Sequence, residues 1–330
     1  MTQLLKPAAG AVGGEALLQQ AALNLLDPEG RSLASSVQWW SLPGLGDDGM
    51  AWPVAVLGQG PPLLALHGFD SSFLEFRRLA PLLARRHRLY IPDLFGFGFS
   101  PRPSKGDYSP RGVLLHLEAL LERIASSSAA GSDASISLIG ASMGGSVAVE
   151  LARRHPARID RLLLLAPAGL TGRPMPLPPL LDGLGVRFLS LPEVRRGLCR
   201  SAFAQPDRDV GEPELEIASL HLRTPGWAES LRRFARSGGF AGCGQPLPHQ
   251  PIRVLWGADD RILRSPQKRA ALALLGDRIV ELEACGHLPH IDQPLQVADT
   301  WWSMVETPSL RRDPEQPMQS SSEKQPVGDP

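Results

Sequence analysis

Six short apolar runs, at residues 62–66, 89–94, 136–139, 162–165, 252–256 and 279–282, each lead into a turn: His67-Gly68, Phe95-Gly96, Gly140, Ala166-Pro167, Gly257 and, a few residues on, Gly286. Runs this short, apolar at successive rather than alternate positions, read as strands buried on both faces, the mark of a parallel sheet. Helical periodicity fills the intervals, at 73–86, 111–125, 146–154, 265–275 and 295–305. Parallel strands need crossovers, so strand and helix in alternation predict a doubly wound α/β domain. Two earlier runs, 37–42 and 50–57, joined by Gly44-Leu45-Gly46-Asp47-Asp48-Gly49, suit an antiparallel hairpin at the sheet edge.

One stretch breaks the alternation. Residues 170–247 carry no strand-like run, open on a proline cluster (Pro174, Pro176, Pro178, Pro179) and hold arginine-rich helical fragments at 194–203 and 227–236. Structureless loops of that length are uncommon, so the stretch is expected to be an inserted helical subdomain, dividing the core into 31–169 and 248–306. Residues 1–30 form an N-terminal extension, with an amphipathic helix over 15–26 carrying Leu18, Ala22 and Leu25 or Leu26 on one face. It lacks a basic face, so it is expected to dock on the domain, and Asp27-Pro28-Glu29-Gly30 is expected to stop it. From Thr307 the chain is polar and proline-rich, TPSLRRDPEQPMQSSSEKQPVGDP, and is expected to be a disordered tail over 307–330.

The charge balance of 34 basic against 34 acidic residues gives no electrostatic excess, which argues against a non-specific nucleic-acid partner. Cys199, Cys243 and Cys285 are odd in number and match neither a disulfide framework nor a zinc site, so a reducing, cytoplasmic location is expected. No apolar stretch approaches the length of a transmembrane helix, and the N-terminus lacks the pattern of a secretion signal.

The chemistry lies in Gly140-Ala141-Ser142-Met143-Gly144-Gly145, between the run 136–139 and the helical stretch 146–154. A G-x-S-x-G at a strand-to-helix junction is a nucleophile elbow: small flanking residues let the backbone turn sharply and hold the serine hydroxyl out at the carboxyl end of the sheet. The pattern alone is cheap where 33 of 330 residues are glycine; its flanking strand and helix give it weight. A serine hydroxyl needs a base, and the base an orienting carboxylate. Both stand at later strand ends, in Trp256-Gly257-Ala258-Asp259-Asp260 and Cys285-Gly286-His287-Leu288-Pro289, in the order Ser, Asp, His. Carboxyl ends of strands are where an open α/β sheet binds ligands.

With these in place the chain resembles the serine α/β-hydrolases from about 37 to 305. Leu66-His67-Gly68-Phe69 is similar to their oxyanion-loop motif, Asp93-Leu94-Phe95-Gly96-Phe97-Gly98-Phe99-Ser100 to their D-x-x-G-x-G-x-S segment, Trp256 to Asp260 to their acid loop, and Gly286 to Pro289 to their histidine loop. The run HGFDSSFLEFRR from His67 resembles cyanobacterial and plastid members in particular. The resemblance implies an α/β-hydrolase fold: a mostly parallel eight-stranded sheet, helices on both faces, and a helical cap at 170–247. Carried over position by position, it implies Ser142 as nucleophile, His287 as general base, Asp260 as orienting acid and the Phe69 and Met143 N–H groups as oxyanion hole. His67, Gly68, Phe73 and Leu288 are expected beside the substrate, and His67 to brace the oxyanion loop. No metal or cofactor is implied. The expected activity is hydrolysis of an ester or related acyl bond of a small, apolar molecule through an acyl-enzyme.

Competing readings remain at this point. Asp259 competes with Asp260, whose place in the motif favours it. His287, His290 and Asp292 suggest a metal site, which Pro289 disfavours. Residues 44–49 satisfy G-x-G-x-x-G, but an extended stretch follows where a dinucleotide site needs a helix, and Asp47 and Asp48 would repel pyrophosphate. Carbon–carbon bond hydrolases share a Ser-Met-Gly-Gly elbow but typically carry an aromatic residue where this chain has Leu288. A menaquinone-pathway-type lyase would need arginines for a polyanionic substrate. Dehalogenases and epoxide hydrolases carry aspartate at the position of Ser142. A catalytically silent ligand-binding module is the reading of another class.

Overall fold

The described residues form one eight-stranded sheet: β1 Val37–Trp40, β2 Trp52–Leu57, β3 Pro62–Leu66, β4 Arg88–Pro92, β5 Ile136–Ala141, β6 Ile159–Leu165, β7 Ile252–Gly257 and β8 Ile279–Leu282. The spatial order is β1-β2-β4-β3-β5-β6-β7-β8. β1 and β4 both run antiparallel to β2, and every pair from β4 to β8 is parallel. The structure, a computed structural model, describes residues 13–42, 44–45, 49–127, 135–263 and 265–306. The expected tail at 307–330 and part of the 44–49 connection lie outside the described residues.

Successive strand residues feed opposite layers, which is why the runs are apolar throughout. Leu64, Leu66, Leu138, Leu162, Leu164 and Val254 join one core with helices α4 (Pro110–Ser127), α5 (Met143–Arg154) and α11 (Ser265–Leu275), whereas Leu63, Ala65, Ile139, Leu163, Leu165 and Leu255 join the other. That second layer holds α1 (Gly14–Asn24), α2 (Pro28–Ser35), α3 (Ala80–Leu83) and α13 (Pro294–Glu306). Between β6 and β7 lie the helices α6 (Leu181–Leu189), α7 (Pro192–Ala202), α8 (Pro206–Asp209), α9 (Glu212–Leu220) and α10 (Trp227–Arg236), and a short α12 (Pro289–Asp292) precedes α13.

Two local expectations are corrected. α1 ends at Asn24, ahead of Asp27-Pro28 as expected, but Asp27-Pro28 also starts a second helix: the Asp27 carboxylate accepts the Gly30 N–H at 2.9 Å and Pro28 opens α2, so the N-terminal layer runs to Ser35. α1 docks through Leu17, Leu18 and Ala21, followed by Leu25; Leu26 is exposed. The helix expected over 73–86 is broken into a 3₁₀ turn, Phe73–Phe76, and α3. The Phe73 N–H is taken by the Asp93 carboxylate at 2.7 Å, and Pro81 removes a donor from the middle of the segment.

Candidate active site

Strand order sets the site. β3 and β5 are parallel neighbours with Leu66 opposite Gly140, so the turn after β3 and the turn after β5 emerge side by side. β7 and β8 end nearby with Gly257 opposite Leu282, and their loops carry Asp260 and His287.

Ser142 occupies the turn between β5 and α5 with φ 50° and ψ −119°, a strained conformation for a side-chain-bearing residue. It is over-determined: the Ser142 N–H donates to Leu165 O at 2.9 Å, and Ser142 O accepts from the N–H groups of Gly145 and Ala168, each at 2.9 Å. Gly144 is required because a Cβ there would lie 2.1 Å from Leu66 O.

Ser142 Oγ lies 2.9 Å from His287 Nε2, and His287 Nδ1 lies 2.9 Å from Asp260 Oδ2. Asp260 also accepts Trp256 Nε1–H at 3.0 Å on Oδ2 and the N–H groups of Ile262 and Leu263 at 2.9 and 3.0 Å on Oδ1. Burial pushes its carboxyl up, but the hydrogen bond and charge of His287 and the two backbone donors outweigh this and hold it below its ordinary value. An ionised Asp260 can only accept, so Nδ1 carries the imidazole proton and Nε2 offers its lone pair to the serine hydroxyl. The histidine is fixed from behind: its N–H donates to Ala202 O at 2.8 Å, and Asp292 Oδ2 accepts from Gly286 and Ala204 N–H at 2.7 and 3.0 Å. Asp259 donates its N–H to Cys285 O, and its side chain is exposed.

After β3, the Gly68 N–H is occupied by Glu75 Oε1 at 3.0 Å, whereas the N–H groups of Phe69 and Met143 have no acceptor among the described residues. His67 is fully buried. Its Nε2 accepts the Leu94 N–H at 3.0 Å, which leaves Nδ1–H to donate to Gly68 O at 2.8 Å, and burial lowers its pKa and keeps it neutral. The Asp93 segment acts as a staple, its carboxylate accepting from Phe73 and Phe99 N–H at 2.7 and 2.6 Å. Gly98 sits against it, where a Cβ would meet Asp93 Cγ at 2.2 Å.

A cavity of about 260 Å³ opens on Ser142 and His287, lined by Gly68, Leu288 and apolar residues of the insertion such as Leu198 and Ile217. A second, about 290 Å³, lies beyond Phe69 and Met143, walled by Met175, Leu177, Phe234 and Phe240. His67 and Phe73 line neither: both are wholly buried, Phe73 against Phe99, which corrects their expected place beside the substrate. A larger cleft of about 520 Å³ around Leu45, Phe95 and Lys105 shares no lining residue with the Ser142 cavity.

Sequence reasoning singled out the arginines of the insertion, Arg195 among them, but missed Asp70 and Arg77, which frame the Ser142 cavity with it. Asp70, next to Phe69 and at φ 49°, is buried and receives Arg195 Nη1 at 2.6 Å, His221 Nε2 at 3.1 Å and Trp227 Nε1 at 2.8 Å, all from the insertion. Arg77 is paired with Asp27 at 2.6 Å and lies 3.5 Å from Glu214. Both arginines on the cavity wall are thereby neutralised. Asp70, and Glu75 on the same cavity wall, stood in plain view within the run after His67; their burial did not. His290 packs on Phe76 and faces Glu75 at 3.5 Å.

Residues 63–300 match the profile of the alpha/beta hydrolase family. The alpha/beta hydrolase domain-containing protein VTE7 of Arabidopsis thaliana is 27% identical over 299 residues, covering 86% of this chain and 88% of that protein. The 2-hydroxymuconate semialdehyde hydrolase of Pseudomonas sp. strain CF600 is 29% identical over 262 residues, 73% of this chain and 85% of its own. Among solved structures, an alpha/beta hydrolase fold protein from Burkholderia ambifaria superposes with a TM-score of 0.62 at 23% identity, over 81% of this chain and 99% of its own. Sheet order, crossovers and sequence profile agree, and the chain belongs to the alpha/beta hydrolase family.

Proposed function

We propose that the protein is a serine hydrolase that cleaves an ester or related acyl bond of a small apolar substrate. Ser142 attacks the carbonyl carbon while His287 Nε2 takes the hydroxyl proton. Asp260 stabilises the imidazolium, and the Phe69 and Met143 N–H groups receive the oxyanion. The proton passes to the leaving alcohol, and water activated by His287 then releases the acid from the acyl-enzyme. The observation that carries this reading is the unbroken line from Ser142 Oγ through His287 to Asp260, each contact 2.9 Å, beside two N–H groups with no acceptor among the described residues. The insertion at 170–247 acts as a cap, and the apolar lining of both cavities favours an apolar acyl or alcohol group. A cytoplasmic location is part of this reading, supported by Cys199, Cys243 and Cys285 standing as free thiols.

Carbon–carbon bond hydrolysis is the second reading, supported by the similarity to the semialdehyde hydrolase and by the Ser142-Met143-Gly144-Gly145 elbow, which resembles that of carbon–carbon bond hydrolases. A lyase acting on a polyanion is disfavoured, because Arg77 and Arg195 are both held by carboxylates. Assaying p-nitrophenyl esters of graded chain length alongside a ring-cleavage dienoate separates the two. Ester turnover lost by several orders of magnitude in Ser142→Ala is the expected result; turnover of the dienoate alone selects the second reading, and turnover of neither, with no labelling of Ser142, selects a silent binding module.

A further inference from the structure

Within the insertion, α6 turns its apolar stripe outward. It buries Asp182 and Val186, while Leu181, Leu184 and Phe188, which share a face by their spacing, are 54%, 62% and 58% exposed. A helix resting on a domain normally does the reverse. Here the inward place is taken by a carboxylate that Arg236 grips and Arg232 approaches at 3.9 Å. Chain on either side extends the apolar face: Met175 and Leu180 before it are 80% and 82% exposed, and Leu191 after it 46%. Leu180 is also held at φ 84°, a strained conformation for leucine.

Charge selects what covers this face. Along 173–196, Arg173, Arg187 and Arg196 are exposed against a single exposed carboxylate, Glu193; the neighbouring α10 adds Glu229, which Arg232 holds at 3.4 Å, and no ion pair among the described residues engages the three arginines. A second copy of the chain would set the same basic rim against itself, whereas an anionic lipid surface complements it. The face is also continuous with the site. Met175 and Leu177 wall the cavity beyond Met143, and Leu198 lines the cavity that holds Ser142. A helix with an exposed apolar face flanked by arginines is suited to lie in the membrane interface.

We propose that the outward face of α6 and its flanks is a membrane-docking surface, which seats the insertion on an anionic lipid bilayer and admits an apolar substrate from the lipid to Ser142. The delivery half rests on the proposed hydrolase reading; the docking half does not. The test is sedimentation of the full chain, carrying Ser142→Ala, with vesicles of phosphatidylcholine plus phosphatidylglycerol and with pure phosphatidylcholine. Binding is expected to both and tighter to the anionic vesicles. Leu184→Asp/Phe188→Asp is expected to weaken both by more than about tenfold. Arg173→Gln/Arg187→Gln/Arg196→Gln is expected to lose about fivefold per arginine on anionic vesicles alone, and this variant carries the test if the first fails to fold. Protein that stays in solution with anionic vesicles overturns the proposal, as do surface variants that bind like the parent, or a dimer that Leu184→Asp/Phe188→Asp turns into monomer. In the Ser142 background, both variants should leave hydrolysis of a soluble short-chain ester unchanged while slowing hydrolysis of a vesicle-embedded long-chain ester; loss of only the long-chain difference refutes delivery. Absence of all esterase activity would instead remove the hydrolase reading and leave the vesicle result standing.

Discussion

Asp70 shows how one carboxylate couples chemistry to architecture. Its neighbour Phe69 offers an N–H to the oxyanion in the proposed mechanism, and its own carboxylate gathers Arg195, His221 and Trp227 from three places in the insertion. Burial raises its pKa, but the hydrogen bond from His221 and the charge of Arg195 hold it below its ordinary value. In Asp70→Asn, Arg195 is left buried without a counter-charge, a change that costs about 3 to 5 kcal/mol. Denaturant unfolding is expected to show that loss. Steady-state kinetics of the folded fraction should show kcat falling about tenfold or more with KM less affected, because the lost restraint sits beside the oxyanion donor. An unchanged kcat would separate Asp70 from the reaction.

Among the elements, the N-terminal layer ties the sheet to the insertion. Asp27 caps α2 and pairs with Arg77, Glu214 on α9 lies within reach of the same guanidinium, and the Leu26 N–H donates to Glu216 at 2.8 Å. Asp27→Ala removes a cap and half of a buried ion pair. Calorimetric or denaturant unfolding is expected to register about 3 kcal/mol of lost stability, the lower end of the range for a broken buried pair because Glu214 remains. A loss below about 0.5 kcal/mol would mean that the pair contributes nothing. This layer also marks where the sequence was hardest to read. Asp27-Pro28 has the chemistry of a helix start and of a turn, and only the Gly30 N–H, pointing back at the carboxylate, decides between them. The strands were legible because burial on both faces leaves an unbroken apolar run, and Ser142, Asp260 and His287 because each follows such a run at a turn. Phe73 and Asp70 were not, because a phenylalanine beside an oxyanion loop reads the same whether it faces substrate or Phe99, and an aspartate reads the same exposed or enclosed by an arginine, a histidine and a tryptophan. The insertion was legible as an absence of strands, but its outward apolar helix was not, since periodicity gives a face without saying which way it points.

The described residues stack in tiers: a sheet that places the carboxyl ends of β3, β5, β7 and β8 together, helical layers packed on it, and an insertion whose residues wall the cavity at the serine. Buried aspartates at Asp27, Asp70 and Asp260 join these tiers, and each is held below its ordinary value despite burial. Such a group binds its proton less readily folded than unfolded. Its stabilising contribution is complete above the ordinary aspartate value of about 4 and is lost as pH falls through the lower folded value. Below about pH 4 thermal unfolding is therefore expected to show a steep decline from these three groups; above it, the buried His67, His116 and His221, held below their ordinary value by burial, add a decline that starts near pH 6.5, and Asp93, whose carboxyl burial pushes up to about 7, acts in the opposite sense. Stability still rising below about pH 4 would contradict that arrangement. The central claim, a serine activated by histidine and aspartate, is tested most directly by mass-spectrometric mapping of a fluorophosphonate adduct on the full chain. Stoichiometric labelling confined to Ser142, lost in Ser142→Ala and slowed by orders of magnitude in His287→Ala, is the result expected; a folded protein unlabelled at Ser142, or labelled equally without His287, would contradict it.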